Sequence, residues 1–307
     1  MENIGSIDNT YTILSIKAIE YRARTYSVRH NKTQALYLIE AFKDGIPANL
    51  INIMNYLITL NHPNIIRILG IGNGPIVLNN YPPQGTRAYI VYENVSHTTL
   101  FDYINIQRFT EKQAKWIFKK ILEGVRALHN ANICHRDLTI ESVLLDDNYN
   151  PKIYDLHYCC INMYNLVDNL GKINYIAPEV SSEEPYNGIM ADIFSLGQIL
   201  FNLVTGINGF NSARDTDNFY RLIIAQHFDY YWQQIDNFFS FNLSQNFKNL
   251  FLRMVSPNPA QRPTIDQILN APWMQEINNL DNEKRNALEN EVRNEFQIRE
   301  KQIKPNQ

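Results

Sequence analysis

The hydrophobic period of this chain changes near Val95, from about two residues to about 3.6, so neither a uniform sheet nor a uniform bundle can accommodate it. Within residues 11–39, Tyr, Ile, Thr and Val alternate with polar residues around a turn at residues 29–33, which predicts strands. Residues 47–60 interrupt the alternation. There Leu50, Ile53, Met54, Leu57 and Ile58 recur at helical spacing until His62-Pro63 ends the run. Two more strand-like segments, residues 65–71 and 88–92, flank residues 72–85, whose Asn, Gly and Pro content reads as a long surface loop.

Beyond residue 95 helical spacing takes over. Thr110 precedes an apolar face of Ala114, Ile117, Phe118, Ile121, Leu122, Val125 and Leu128, and Gln113 is placed to complete a capping box. Residues 110–129 are therefore expected to be helical. Residues 189–205, 217–225, 247–255 and 265–269 carry further helical patterns bounded by Gly, Pro or Asn. The charged segment 275–307 sets Ile277, Leu280, Leu288, Val292 and Phe296 near one stripe. It reads as an amphipathic helix packed on its own domain or solvated, since it lacks the ~3–4 clean heptads of a coiled-coil seam. The expected organisation is an N-terminal extension (1–10), a small β-rich lobe with one helix (11–95), a larger α-helical lobe (96–274) and a charged tail (275–307). The fold class is α+β, in two lobes.

Composition narrows the functional classes. At about 150 residues per domain, 307 residues allow two compact units, and 45% hydrophobic against 19% charged residues supplies full cores. A net charge of -3 offers no basic excess for phosphate backbones, so nucleic acid is not an expected partner. The N-terminus has neither a basic start nor an apolar core, and the apolar run at residues 193–204 is broken by Ser195, Gly197, Gln198 and Asn202. It is short of the ~20 residues that a bilayer requires. An intracellular, cytoplasmic protein without a membrane span is expected. Cys134, Cys159 and Cys160 are odd in number and lack metal-ligand spacing, so they are expected to be reduced thiols.

The densest chemistry lies in His135-Arg136-Asp137-Leu138-Thr139 with Ser142 following, in Tyr154-Asp155-Leu156-His157, and in the segment from Gly171 to Ala177-Pro178-Glu179. His62-Pro63-Asn64-Ile65, the strand ending Tyr92-Glu93, the run from Asp192 to Gly197, Asn258 to Pro263, and Ala271-Pro272-Trp273 accompany them. In order and spacing this set resembles the catalytic core of eukaryotic protein kinases, of the Ser/Thr type, over about residues 11–274. The resemblance implies a five-stranded N-lobe with one regulatory helix, a helical C-lobe, ATP and Mg²⁺ between them, and phosphoryl transfer to protein hydroxyls.

Several positions depart from the family pattern. No glycine occurs in residues 14–28, where a Gly-rich loop would cover the phosphates. Glu40 stands at the position of the phosphate-pairing lysine, and Ile53 at that of its helix carboxylate. At about 4 Å and an effective dielectric near 20, exchanging a cation for an anion turns an attraction of about 4 kcal/mol into repulsion. Lys17, Arg22 or Arg24 could substitute from the first strands, and Lys43 only by a shift that turns it to the other sheet face. Tyr92 narrows the back of the pocket, and Glu93 begins the hinge. Asp137 is kept as the base, but Thr139 replaces a lysine and Ser142 the metal-binding Asn. Asp155 is kept as the Mg²⁺ ligand, Ser142 being a weak second one, and His157 replaces a glycine. Lys172 takes the place of a threonine that bonds the base, so its ammonium is expected to pair with Asp137.

Structural positions are retained: His135 and Arg136 in the catalytic loop, Asp192 beneath it, and the Glu179–Arg262 ion pair. Intact scaffold with altered nucleotide contacts reads as a pseudokinase, with ATP and Mg²⁺ bound weakly or not at all and with protein partners such as signalling proteins or an active kinase. The alternative is a divergent Ser/Thr kinase using Asp137, Asp155 and a relocated cation such as Lys17.

Overall fold

A computed structural model describes residues 3–19, 23–79, 81–82, 84–95, 98–161, 163–182, 184–239 and 241–303. The chain divides into two compact units, Met1–His97 and Thr98–Gln307.

The first unit is a closed antiparallel barrel with one helix. Strands β1 (Gly5–Ile7), β2 (Tyr11–Ile19), β3 (Ala23–His30), β4 (Leu36–Phe42), β5 (Ile68–Leu78) and β6 (Thr86–Glu93) pair in the order β1-β2-β3-β4-β6-β5, and β1 also pairs with β5. Helix α1 (Ala48–Leu57) follows β4 and buries Leu50, Ile53, Met54 and Leu57. Inward-facing Ile7, Ile13, Tyr26, Val28, Ile39, Ala41, Ile76, Tyr89 and Val91 form the barrel core.

Two expectations change here. Residues 5–7, taken with the N-terminal extension, form the sixth strand and close a sheet expected to have five. Residues 72–78, read as loop, belong to β5. The glycines there serve close packing: a Cβ on Gly72 would lie 2.3 Å from the Tyr89 ring, and one on Gly74 2.5 Å from the Asp8 side chain. A glycine in a strand thus marks the approach of another group rather than a break.

The second unit is mainly helical. It comprises α2 (Leu100–Ile104), α3 (Glu111–Asn130), β7 (Ile133–Cys134), β8 (Val143–Leu145), β9 (Pro151–Ile153), β10 (Cys160–Ile161), α4 (Gly188–Thr205), α5 (Tyr220–Ile224), α6 (Phe228–Phe239), α7 (Gln245–Met254), α8 (Ile265–Leu269), α9 (Gln275–Asn278) and α10 (Asn282–Ile303). Thr110 and Gln113 form the expected capping box at the start of α3. The Asn187 side chain caps α4, and Gly206, at φ 79, ends it in the left-handed region that glycine adopts without strain. Helix α4 is apolar and long enough to cross a membrane, yet 89% of that stretch is buried inside the unit.

Helix α10 packs on its own unit. Leu288, Val292, Phe296 and Arg299 are buried, and Phe296 meets Tyr103, Phe109 and Tyr149 at ring-centroid distances of 5.1, 5.2 and 5.7 Å. The tail breaks near Leu280, so Ile277 belongs to the separate short helix α9.

Candidate functional site

Glu40 sits in β4 opposite Thr25 of β3 and Ile90 of β6, with none of its surface exposed. Tyr92 lies on the same face of β6 two residues along, a diagonal that a long aromatic side chain can span. Its hydroxyl donates to Glu40 Oε2 at 3.0 Å. Glu40 is thereby built into the interior of the first unit by a residue expected only to narrow a pocket. Glu93 is held as well: its Oε1 accepts the Arg67 backbone N–H at 2.9 Å.

The neighbouring candidates divide. Ile53 is 4% exposed in α1, so an apolar group occupies the position where a carboxylate would anchor a lysine. Lys17 is exposed at the register shift between Ile16 and Ala18, a bulge that can re-aim a side chain. Arg24 pairs with Ala41, whose side chain enters the barrel core, and so stands on the sheet face opposite Glu40. Lys43 is exposed just beyond β4. Arg22, with the tip of the β2–β3 turn, lies outside the described residues.

In the second unit the catalytic loop hangs on Asp192. This fully buried carboxylate of α4 accepts the backbone N–H groups of His135 and Arg136, each at 2.8 Å, and His129 Nε2 lies 2.9 Å away. His135 Nε2 meets the Tyr154 carbonyl at 2.9 Å, tying the loop to the segment before Asp155. Arg136 has φ 67, and its guanidinium donates to the Tyr158 carbonyl at 2.6 Å and to Asp168 at 3.0 Å. These contacts hold backbone in place.

Thr139 and Ser142 satisfy each other. Thr139 N–H donates to Ser142 Oγ at 2.9 Å, Ser142 N–H to Thr139 Oγ1 at 3.1 Å, and the Ser142 hydroxyl to the Thr139 carbonyl at 2.9 Å. Both residues are buried, so the two hydroxyls close the loop on itself.

Asp155 adopts φ 62, ψ 57, and its Oδ1 lies 2.8 Å from His157 Nδ1. Burial opposes its ionisation, but the hydrogen bond and charge of His157, with His135 behind, hold its carboxyl below the ordinary value. Burial and then the charge of Asp155 push the Asp137 carboxyl upward.

The expectation for Lys172 is corrected. Its ammonium pairs with Glu141, and it is the Lys172 backbone N–H that donates to Asp137 Oδ1, at 3.1 Å. Gly171, at φ 108, makes that approach, since a Cβ there would lie 2.9 Å from the Arg136 carbonyl oxygen. The Asp155–His157 pair and the Arg136–Asp168 contact were not anticipated. The first had a visible signal in an acid two residues from a histidine; the second, 32 residues apart, had none.

Each unit engages its own candidate groups internally. Position 40 presents a carboxyl group, the Ser142 hydroxyl is engaged by Thr139, and Asp155 is engaged by His157. Among the described residues no group of three or more His, Cys, Asp or Glu side chains is placed to share a metal ion.

The raised Asp137 carboxyl has a consequence for stability. Its folded state holds the proton more tightly than the unfolded chain, so stability falls as pH rises from the unfolded value of about 3.9 through the folded one. Asp137→Asn retains an acceptor for Lys172 and cannot ionise. Thermal melts should show it more stable than the wild type at pH 7, by a margin that grows above about pH 3.9 and then levels; equal melting temperatures at pH 7 would contradict the assignment.

Comparison with known proteins agrees with this architecture. The chain is 32% identical over 254 residues to serine/threonine-protein kinase SAPK1 of Oryza sativa subsp. japonica, covering 80% of this chain and 70% of that one. It is 34% identical over 254 residues to serine/threonine-protein kinase SRK2G of Arabidopsis thaliana, covering 80% and 68%. With a β-rich lobe, a helical lobe and a match of residues 23–274 to the family model of the protein kinase domain, the chain belongs to the protein kinase family.

Proposed function

We propose that this kinase domain is a catalytically impaired pseudokinase, working inside the cell as a signalling scaffold or as an allosteric partner of signalling proteins such as an active kinase. The observation that carries the reading is the Glu40–Tyr92 hydrogen bond in the interior of the first unit, where the family motif would place a cation for the phosphates. A buried carboxyl with a fixed donor is an element of the fold. The Thr139–Ser142 ring and the Asp155–His157 pair support the same reading, because each occupies with internal contacts a group that an active kinase offers to nucleotide or metal. ATP and Mg²⁺ then bind weakly or not at all, and selection for folding accounts for the retained Asp192 and Glu179–Arg262 contacts.

A second reading, a divergent Ser/Thr kinase, draws on the relatives' names and on one feature of the second unit: Asp137 and Asp155 are close enough for one to shift the other's titration, and neither is fully buried. Thermal-shift titration with ATP, with and without Mg²⁺, separates the two. A ligand at 100 times its Kd stabilises the folded state by about 2.7 kcal/mol. The pseudokinase reading expects no Mg²⁺-dependent shift at millimolar ATP and no transfer to protein substrate above that of Asp137→Asn. Turnover lost in Asp137→Asn would establish the second reading in its place.

A further inference from the structure

We propose that Cys134 and Cys160 form a reversible disulfide that fastens the segment following Asp155, residues 158–168, to the strand entering the catalytic loop. Strands β7 and β10 pair antiparallel with Cys160 directly opposite Cys134, and the two Sγ atoms lie 3.2 Å apart. Directly opposed residues on antiparallel strands have Cα atoms about 4.5 or 5.5 Å apart. Both values fall in the range of about 4.4–6.8 Å that a disulfide accepts. Closing the bond to about 2.05 Å needs a sulfur displacement of about 1 Å, within the reach of side-chain rotation. Gly188, at the start of α4, leaves the room: a Cβ there would lie 2.5 Å from Cys134 Sγ.

The two thiols differ in the way an oxidation relay needs. Cys160 is partly exposed, whereas Cys134 is fully buried. The hydrogen bond from Cys134, and after it the Arg136 guanidinium, favour the Cys160 thiolate over the opposing effect of burial. The same hydrogen bond, with burial, raises the Cys134 thiol. Cys160 is therefore the sulfur that a peroxide meets, and Cys134 the one that resolves the product. Cys159 is 1% exposed and its thiol is pushed well above the ordinary value by burial, which sets it apart from this chemistry.

With hydrogen peroxide as oxidant, the Cys160 thiolate attacks one peroxide oxygen, the O–O bond breaks, and the departing hydroxide takes up the thiol proton as water, leaving a sulfenic acid. Cys134 sulfur then attacks Cys160 sulfur, the S–O bond breaks, and hydroxide leaves with the Cys134 proton as a second water. Two thiols and one peroxide give one disulfide and two waters. A dithiol reductant reverses the step by exchange. The bond encloses His135, Arg136, Asp137 and Asp155 in its loop, and adds a covalent tie beside the Arg136–Tyr158 hydrogen bond. The inference holds whether or not the domain turns over ATP.

The test is non-reducing peptide mapping of the full chain after a brief hydrogen peroxide treatment. Trypsin places Cys134 in residues 127–136 and both Cys159 and Cys160 in residues 153–172. The expected product joins these two peptides with the loss of two hydrogens, disappears with dithiothreitol, persists in Cys159→Ser and is lost in Cys160→Ser. Amide exchange across residues 158–168 should slow in the oxidised chain. A product within residues 153–172 alone, or Cys134 still alkylatable after unfolding while Cys160 is over-oxidised or unchanged, would overturn the assignment; wild-type mapping decides this even where a variant fails to fold. Unchanged exchange across residues 158–168 would remove the fastening role.

Discussion

Arg262→Ala is expected to destabilise the protein by about 3–5 kcal/mol, the cost of leaving the other member of a buried ion pair without its counter-charge. The Arg262 side chain has no exposed surface, and it grips Glu179 through two parallel contacts of 2.5 and 2.7 Å. Its remaining donors reach the Met190 and Ser256 carbonyls, each at 2.9 Å, and its guanidinium lies over the Phe194 ring, 5.0 Å from the centroid. Alanine removes all of these together and leaves two carbonyls and a carboxylate facing a cavity. Urea unfolding should show a lower midpoint at an unchanged slope. Arg262→Lys keeps the charge but cannot reproduce the planar fork, so it should recover only part of the loss. A midpoint within about 1 kcal/mol of wild type in Arg262→Ala would mean that the pair behaves as a surface pair does. Under the proposed scaffold reading, Arg262→Ala should lose partner binding in proportion to unfolding, without a separate catalytic defect.

What the sequence disclosed follows the range of each interaction. The capping box at Thr110 and Gln113 is a contact across three residues, so it could be read before any fold was known. The catalytic-loop motif is likewise local, and the family that it points to is the one the chain belongs to. What holds it was legible only through the family resemblance, since Asp192 lies 57 residues beyond His135. Residues 72–78 were misread because their glycines answer to Tyr89 and Asp8, neither of which is a sequence neighbour. Helix α6 passed unassigned: its run of Tyr, Trp and Phe reads as strand-like by propensity, although Tyr231, Trp232 and Ile235 do share a buried side. At Lys172 the residue was singled out correctly and the wrong atom was assigned to Asp137. A sequence names a side chain, but the backbone N–H made the bond because Gly171 lets the chain approach. The facing of Cys134 and Cys160 depends on the register of two very short strands, which no local pattern encodes.

Phe296→Ala is expected to cost about 3–5 kcal/mol and to release α10 from the second unit. The ring is fully buried, stacked within 4° of Tyr149 and set edge-on against Tyr103 and Phe109. Few other side chains hold this helix: Leu288 and Val292 are its remaining buried apolar groups, and most of its surface is charged or amide. Nearly five turns beyond its start, Arg299 adds a polar lock. Its guanidinium, 2% exposed, donates to the carbonyls of Tyr103, Gln107 and Arg108, pairs with Glu295 at 2.8 Å and lies 3.8 Å from the Phe109 ring centroid. Those carbonyls close α2 and the turn after it, so a cation from the tail satisfies acceptors that a short helix leaves open at its C-terminal end. Loss of the Phe296 ring unpacks Phe109, over which Arg299 lies, so Arg299→Ala should add less in the Phe296→Ala background than it costs alone. Hydrogen exchange gives the reading: in Phe296→Ala the amides of residues 282–303 should lose protection while α3 and α4 keep theirs. Retained protection throughout α10 at lowered global stability would show instead that the helix and the rest of the unit unfold as one.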